Sequence, residues 1–269
     1  MSNQHLLLRR LHSLTGILPI GVFLIAHLTT NSTLVWGAFN GRASVYASDP
    51  EGRAIATFQE EVSFINGMPM LLLIEITLWA SIAFHSILGV VYALGGKNNL
   101  ERYRYGGNLR YLLQRYSGYF GILFIFYHVA TLRWGWSFLV PGGTEWSHHY
   151  AASTLAACVQ GGWDGITTMG VVVSLFYFVG VSMLVFHFAN GLWSSAITWG
   201  LTVSEASQKR WGYVCAAVGI GLMGMAWASI YAAVTIDPND AVLVEQQLPG
   251  AEHAEPPSGA SAPSHASKD

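Results

Sequence analysis

Four histidines lie within long apolar stretches of the sequence, one in each of four stretches: His27, His85, His128 and His187. Ionisable side chains are rare in such stretches and usually serve a function there. A neutral imidazole is a good ligand for a transition metal. Two imidazoles can supply both axial ligands of a haem iron, whose other four nitrogens come from the porphyrin. These residue types therefore indicate electron transfer through bound haem.

The sequence around each histidine sorts the four into two pairs. FLIAHLTT and FIFYHVAT contain His27 and His128, whereas FHSILG and FHFANG contain His85 and His187. The stretch around His27 therefore resembles the one around His128. In the same way, the stretch around His85 resembles the one around His187. This pattern predicts an internal repeat, in which the first two helices are echoed by the next two.

A glycine follows each histidine of the second pair by four residues. Gly89 follows His85, and Gly191 follows His187. Residues four apart share one face of a helix, so each glycine is expected beside the imidazole. A glycine leaves space there for a flat ring against the backbone. We therefore predict that Gly89 and Gly191 pack against haem.

The composition predicts that membrane-spanning helices position these histidines. Hydrophobic residues make up 52% of the 269 residues and charged residues only 10%, against about 25% charged residues in a typical soluble domain. The mean hydropathy is +0.39. A soluble globular enzyme is excluded, and a net charge of −2 argues against a nucleic-acid partner.

Five stretches are long enough to cross a bilayer, which takes about 20 apolar residues of helix. The first lacks an A-x-A cleavage site, so we expect it to be retained rather than removed as a signal peptide. The predicted fold is an all-α, up-and-down bundle of five transmembrane helices. The spans are Leu14–Val35, Met68–Leu94, Tyr116–Leu132, Ile166–Trp199 and Trp211–Val234.

Basic residues predict the orientation, because cytoplasmic segments are enriched in Lys and Arg. With the N-terminus in the cytoplasm and the C-terminus outside, the outer segments hold few basic residues: Arg42, Arg53, Arg133 and Lys268. The inner segments then hold more of them: Arg9, Arg10, Lys97, Arg102, Arg104, Arg110, Arg115, Lys209 and Arg210.

This orientation places the four histidines at two depths. His27 and His128, here called the outer pair, lie in the outer halves of their spans, and His85 and His187, the inner pair, lie in the inner halves. Two bis-histidine haems would then form an electron path across the bilayer. The simpler alternative is that each histidine is a hydrogen-bonded residue between helices. Zinc is disfavoured because it requires its four ligands together.

Other polar residues near the two depths are candidates for supporting roles. Arg10, Ser13 and Lys97 lie at the inner end, where they would bind haem propionates or serve as ordinary positive-inside anchors. Glu75 lies in the outer half of the second span. A buried carboxyl is expensive unless it is protonated or hydrogen-bonded. We predict that Glu75 delivers protons to a quinone, with a structural hydrogen bond as the alternative.

The chain divides by composition into a five-helix domain over residues 1–235 and a tail over 236–269. The tail is acidic and rich in Pro, Ala and Ser, so we expect it to be disordered. Cys158 is assigned to a loop and Cys215 to the fifth span, so a disulfide between them is not expected.

Several motifs in order resemble one family. RRLHSLTG, the inner GKNN, LQRYSG and FHFANGLWSSAITWGLTV, within roughly residues 5–235, resemble the di-haem cytochrome b (b558-type) anchor subunit of succinate:menaquinone reductase and fumarate reductase, respiratory complex II. The resemblance implies two b haems. It assigns His85 and His187 as axial ligands of the proximal haem, and His27 and His128 as those of the distal haem.

The resemblance also implies partners and a reaction. A flavoprotein with FAD and an iron–sulfur subunit would dock on the cytoplasmic face of a bacterial inner membrane. The chain would not act on succinate itself but would pass electrons to menaquinone, linking the tricarboxylic acid cycle to respiration. Some family members carry Glu two residues before the fourth histidine, where this chain has Val185, so a proton path of that type is not expected.

Three alternatives remain open from the residues. One is the anchor of a quinol:fumarate reductase, which runs the same chemistry in reverse. Another is a stand-alone carrier similar to cytochrome b561, which uses two histidine pairs on four central helices of six. The third is a non-redox transporter without haem.

Overall fold

The computed structural model describes residues 3–96, 106–251 and 254–260, and this part of the chain is helical with no strand. The longer helices carry almost uninterrupted apolar sequence, as helices that cross a bilayer must. The helices are α1 (Asn3–Ile17), α2 (Pro19–Trp36), α3 (Pro50–Asn66), α4 (Leu71–Gly95), α5 (Gly106–Leu132), α6 (Ala151–Gln160), α7 (Thr168–Thr198), α8 (Glu205–Thr235) and α9 (Pro238–Glu245).

Four stretches of the described helices are long and apolar enough to cross a membrane. They are Gln4–Phe39, Leu71–Gly95, Thr168–Thr198 and Glu205–Thr235. The first unites α1 and α2, since the Leu18 N–H still donates to the Leu14 carbonyl at 2.9 Å. The prediction of a multi-pass all-helical membrane protein is confirmed at this level.

The predicted third span lies in α5, which is not among those four stretches. Helix α5 has 27 residues, so its length suffices. Its polar residues, including Arg110, Gln114 and Arg115, lower its apolar character. The count of five spans therefore stays a prediction.

The chain folds into two compact units. The first comprises Met1–His27, Met70–Phe124 and Val179–Gly224, and the second comprises Leu28–Pro69, Ile125–Phe178 and Met225–Asp269. Helices α2, α5, α7 and α8 each contribute residues to both units. Both histidines of the inner pair belong to the first unit.

The second unit has a core that the sequence did not predict. Helices α3 and α6 form within the two predicted outer loops, and α9 forms at the start of the tail predicted to be disordered. Helix α6 is rich in small residues, which allow other elements to pack closely around it. Every one of its residues is buried. The core includes Leu34, Ile55, Phe58, Ala151, Ala152, Leu155, Val159, Ala232 and Ile236.

A local start signal accounts for the formation of α9. Helix α9 begins with a strong start signal, because the Asp237 carboxylate accepts from the Asn239 N–H at 2.8 Å and Pro238 follows directly. The helix then buries Ala241 and Val242. The average composition of the whole tail does not reveal this short apolar segment.

Cys158 lies in α6 rather than in the predicted loop. Burial raises the pKa of its thiol to about 12.

Glu245 joins α9 to the first turn of α6. Its carboxylate is fully buried and accepts from the Ala152 N–H at 2.6 Å and from the Ser153 hydroxyl at 2.5 Å. A carboxylate at a helix N-terminus satisfies backbone donors that have no partner within the helix. Burial nevertheless raises the pKa of Glu245 to about 7.

This raised pKa predicts a pH-dependent stability of the α6–α9 contact. The folded-state pKa of Glu245 lies above the ordinary value of 4.5, so its contribution is fully present below about pH 4.5 and is lost as pH rises through about 7. The full loss is roughly 3 kcal/mol at 1.36 kcal/mol per pKa unit. Hydrogen exchange of α9, corrected for intrinsic rates, should show opening that becomes easier between pH 5 and pH 8.

Glu245→Gln keeps the size of the side chain and one acceptor oxygen but removes the titration, so the opening free energy of the variant should be nearly constant over this range. The exposed Glu61 of α3 offers a matched control, and Glu61→Gln should keep the wild-type pH profile. A wild-type profile in Glu245→Gln would contradict the assignment.

Candidate functional site

The first unit brings together the two histidines of the inner pair. His85 on α4 and His187 on α7 have ring centroids 6.1 Å apart, and their planes are nearly perpendicular at 82°. A transition metal binds an imidazole nitrogen at about 2.0–2.1 Å. Two imidazoles on opposite sides of one metal ion therefore have centroids roughly 6 Å apart, so the observed spacing fits a haem iron.

The second ring nitrogen of each histidine is held by a backbone carbonyl. His85 Nδ1 lies 2.9 Å from the His12 carbonyl oxygen, and His187 Nδ1 lies 3.1 Å from the Gln114 carbonyl oxygen. A carbonyl can only accept, so in both contacts Nδ1 is the donor. Nε2 is then the nitrogen with a lone pair, and such a bond orients an imidazole for a metal.

These two contacts repeat along the sequence. The histidine and the residue that supplies the carbonyl are 73 positions apart in both cases. His12 stands in LHSLTG and Gln114 in LQRYSG, at equivalent positions of the two segments. The geometry of the inner pair thus agrees with the predicted internal repeat.

Two glycines on neighbouring helices make room for the imidazoles. A Cβ added at Gly16 would lie 2.6 Å from His85 Cε1, and one at Gly118 would lie 3.1 Å from His187 Cε1. Gly16 and Gly118 occupy the last positions of the two repeated segments, LHSLTG and LQRYSG. A Cβ at Gly16 would force the His85 ring to shift, whereas a Cβ at Gly118 would require the His187 ring to give by a few tenths of an ångström.

The glycines singled out from the sequence have different neighbours. A Cβ at Gly89 would lie 3.3 Å from His12 Cε1, and one at Gly191 would lie 3.7 Å from Gln114 Nε2. Each therefore lies beside the residue whose carbonyl holds an inner imidazole. Packing of Gly89 and Gly191 against haem stays a prediction.

Helices α1 and α4 also contain buried polar atoms without a hydrogen-bond partner among the described residues: Arg10 Nε, His12 Nδ1 and the Tyr92 hydroxyl. Buried polar atoms normally have hydrogen-bond partners, so an unpaired one is a candidate for contact with a bound group. The Arg10 guanidinium carbon lies 5.5 Å from the centre of the Trp199 ring, and binding of a haem propionate by Arg10 stays a prediction.

The other two residues predicted to bind propionates differ in outcome. The Ser13 hydroxyl donates to the Arg10 carbonyl at 2.9 Å and accepts from Trp199 Nε1 at 2.9 Å. Ser13 thus takes part in local hydrogen bonds with Arg10 and Trp199, and its binding of a propionate stays a prediction. Lys97 lies outside the described residues.

A polar chain that sequence reasoning missed supports His187. Arg110 Nε donates to Asn190 Oδ1 at 3.0 Å, and Asn190 Nδ2 donates to Gln114 Oε1 at 2.7 Å. Gln114 Nε2 in turn donates to the His187 carbonyl at 3.1 Å. The similarity of LQRYSG to LHSLTG could have pointed to Gln114, but no comparable signal points to Asn190.

The histidines of the outer pair have aromatic neighbours. The His27 ring lies 5.3 Å from the Phe23 ring in the first unit, and the His128 ring lies 5.9 Å from the Tyr177 ring in the second. Glu75 is half-buried on α4. Pairing of His27 with His128, and the role of Glu75, stay predictions.

The donor set matches haem better than a bare metal ion. Among the described residues, no group of three or more His, Cys, Asp or Glu side chains could hold a metal ion. A haem iron takes only two ligands from the protein, because the porphyrin supplies the rest. The His85–His187 pair meets that requirement.

No family model matches the chain. A curated relative does: the chain is 31% identical over 233 residues to the succinate dehydrogenase cytochrome b558 subunit of Bacillus subtilis (strain 168). The match covers 86% of this chain and 98% of the relative. Identity of this extent over nearly the whole of both proteins, together with the membrane helices and the histidine pair, shows that the chain belongs to the family of succinate dehydrogenase cytochrome b558 subunits.

Proposed function

We propose that the chain is the membrane anchor through which succinate dehydrogenase passes electrons to menaquinone, by way of two b haems. The carrying observation is the inner pair, whose rings are 6.1 Å apart and whose Nδ1 atoms are both held by carbonyls. A structural role for the histidines requires neither feature. The name of the Bacillus subtilis relative supports the same role.

The proposed ligands are His85 and His187 for the inner haem, and His27 and His128 for the outer haem. Bound haem supplies a one-electron carrier at each depth. The protein supplies the orientation of the axial ligands, through the His12 and Gln114 carbonyls on the inner pair. It also supplies an apolar environment that keeps water away.

The proposed partners are the flavoprotein and iron–sulfur subunits of complex II, docked on the cytoplasmic face of a bacterial inner membrane. The excess of basic residues in the predicted inner segments supports a cytoplasmic N-terminus and an external C-terminus. Succinate oxidation is favoured over fumarate reduction, since the relative is named as a succinate dehydrogenase subunit.

The test is to purify the chain with its partner subunits and to supply succinate with either menaquinone or a soluble dye. The complete complex should reduce both acceptors. The two partner subunits without the chain should still reduce the dye but not menaquinone. Menaquinone reduction that persists without the chain would overturn the proposal.

Glu75 is the proposed proton donor for menaquinone at the outer end. It is the single carboxyl within the predicted spans, and quinone reduction consumes protons that a positioned general acid can deliver. Glu75→Gln should lower menaquinone reduction roughly 10²-fold, the lower end of the usual range for general acid catalysis. Both haems and dye reduction should be unaffected.

Glu60→Gln is the control for this substitution, because Glu60 is an exposed carboxyl of α3 outside the predicted spans. It should leave menaquinone reduction at the wild-type rate. Unchanged turnover in Glu75→Gln would assign Glu75 a structural hydrogen bond instead.

A further inference from the structure

We propose that the side chain of His12 is a positioning residue that fixes the ring plane of the inner ligand His85. The two imidazoles are stacked, with centroids 4.1 Å apart and planes 14° from parallel. This inference rests on the proposed function, because it concerns how one haem ligand is oriented. His12 itself is not assigned as a ligand.

His12 contacts His85 twice, and the two contacts restrict different motions. The bond from His85 Nδ1 to the His12 carbonyl, at 2.9 Å, fixes the direction of one ring atom. A single hydrogen bond tolerates a range of angles, so the ring can still turn about its Cβ–Cγ bond. The stacked His12 ring blocks this rotation, so the pair of contacts defines the plane.

The internal repeat separates the role of the His12 side chain from that of its backbone. Gln114 stands at the equivalent position and supplies the equivalent carbonyl to His187, although its side chain is not a ring. Any residue could supply that carbonyl. At His187 a second polar contact is present instead, since the Ser117 hydroxyl lies 3.2 Å from Nδ1. The two ligands are thus oriented by different means.

The His12 ring is itself held in place, as a positioning residue must be. It meets the Tyr92 ring edge-on, with centroids 5.6 Å apart. On α4 it lies against Gly89, where an added Cβ would be 3.3 Å from His12 Cε1. Gly16 adds a steric limit on the His85 ring, where an added Cβ would be 2.6 Å from Cε1. His85 therefore has little freedom to turn.

The orientation of an axial ligand is one of the levers by which a protein tunes a haem. The planes of His85 and His187 are 82° apart. Loss of the stacked ring should let His85 turn and change this angle. The change should appear in the electron paramagnetic resonance spectrum of the oxidised inner haem and in its midpoint potential, even when the haem is retained.

The experiment compares His12→Ala with His12→Phe in the purified complex. Both variants keep the backbone carbonyl, but only phenylalanine keeps a flat ring for stacking. His12→Ala should shift the low-spin signal and midpoint potential of one haem or, if the site is weakened further, lose that haem. His12→Phe should restore both properties to wild-type values.

His5→Ala is the control, because His5 is an exposed histidine of the same helix α1. It should leave both signals unchanged. An unchanged spectrum and potential in His12→Ala would overturn the inference, as would an equal change in His12→Phe. A wild-type complex without two low-spin haems would instead overturn the proposed function.

Discussion

Replacing His85 or His187 with alanine should remove one haem, and replacing His27 or His128 should remove the other. A six-coordinate haem that loses one of two protein ligands loses both affinity and its low-spin state. Each single variant should retain about half of the wild-type haem, measured as pyridine haemochrome per chain. In a redox titration of the haems, the two variants of one histidine pair should lack the same haem, identified by its midpoint potential.

Double variants make this prediction sharper. Residues that act on one site are not additive, so His85→Ala with His187→Ala should lose no more haem than either substitution alone. His85→Ala with His27→Ala should lose both haems. If His27→Ala and His85→Ala remove the same component, the assignment of the two pairs is wrong.

Gly16→Ala should remove the inner haem although Gly16 is not a ligand. The added Cβ would lie 2.6 Å from His85 Cε1. This distance is shorter than the closest approach of two non-bonded carbon atoms. The imidazole must move, and ligand geometry has little tolerance. Haem content should fall by about half, with the outer haem unchanged in the redox titration.

Substitutions at two other glycines should reduce haem retention by different amounts, according to the space around each added Cβ. At Gly118 the added Cβ would lie 3.1 Å from His187 Cε1, so Gly118→Ala should weaken haem retention less than Gly16→Ala. At Gly224 no heavy atom lies within 4 Å of the added Cβ, so Gly224→Ala should match the wild type. A full complement of haem in Gly16→Ala would contradict the described site.

The inner pair was predictable because its evidence is local in sequence. Apolar stretches predict the helices. Similar segments around His85 and His187 predict that the two residues pair, and the structure places their ring centroids 6.1 Å apart. These patterns act within single helices, where sequence spacing translates directly into position.

Contacts between helices were harder to predict. The spacing of Gly89 predicts packing against haem, whereas in the structure a Cβ added at Gly89 would lie 3.3 Å from Cε1 of His12 on α1. Spacing within a helix gives the face of a residue and not the neighbouring helix that it meets. Gly16, which contacts His85 directly, is distant from it in sequence.

The second unit shows a further limit of composition. Averages over the tail predicted disorder, yet α9 needs only a start signal at Asp237 and a few apolar residues. Helix α6 was missed because it is only 10 residues long and lies in a segment assigned to a loop. At its first turn the side-chain oxygens of Gln59 and Glu245 accept from the Ala151 and Ala152 N–H groups, contacts that come from distant parts of the sequence.

The most direct test of the central claim is the ratio of haem to chain in the purified complex, measured together with the spin state of the iron. Two bis-histidine sites predict two non-covalent b haems per chain, both low-spin when oxidised. A ratio of one, or a high-spin spectrum from an iron with one protein ligand, would contradict the account.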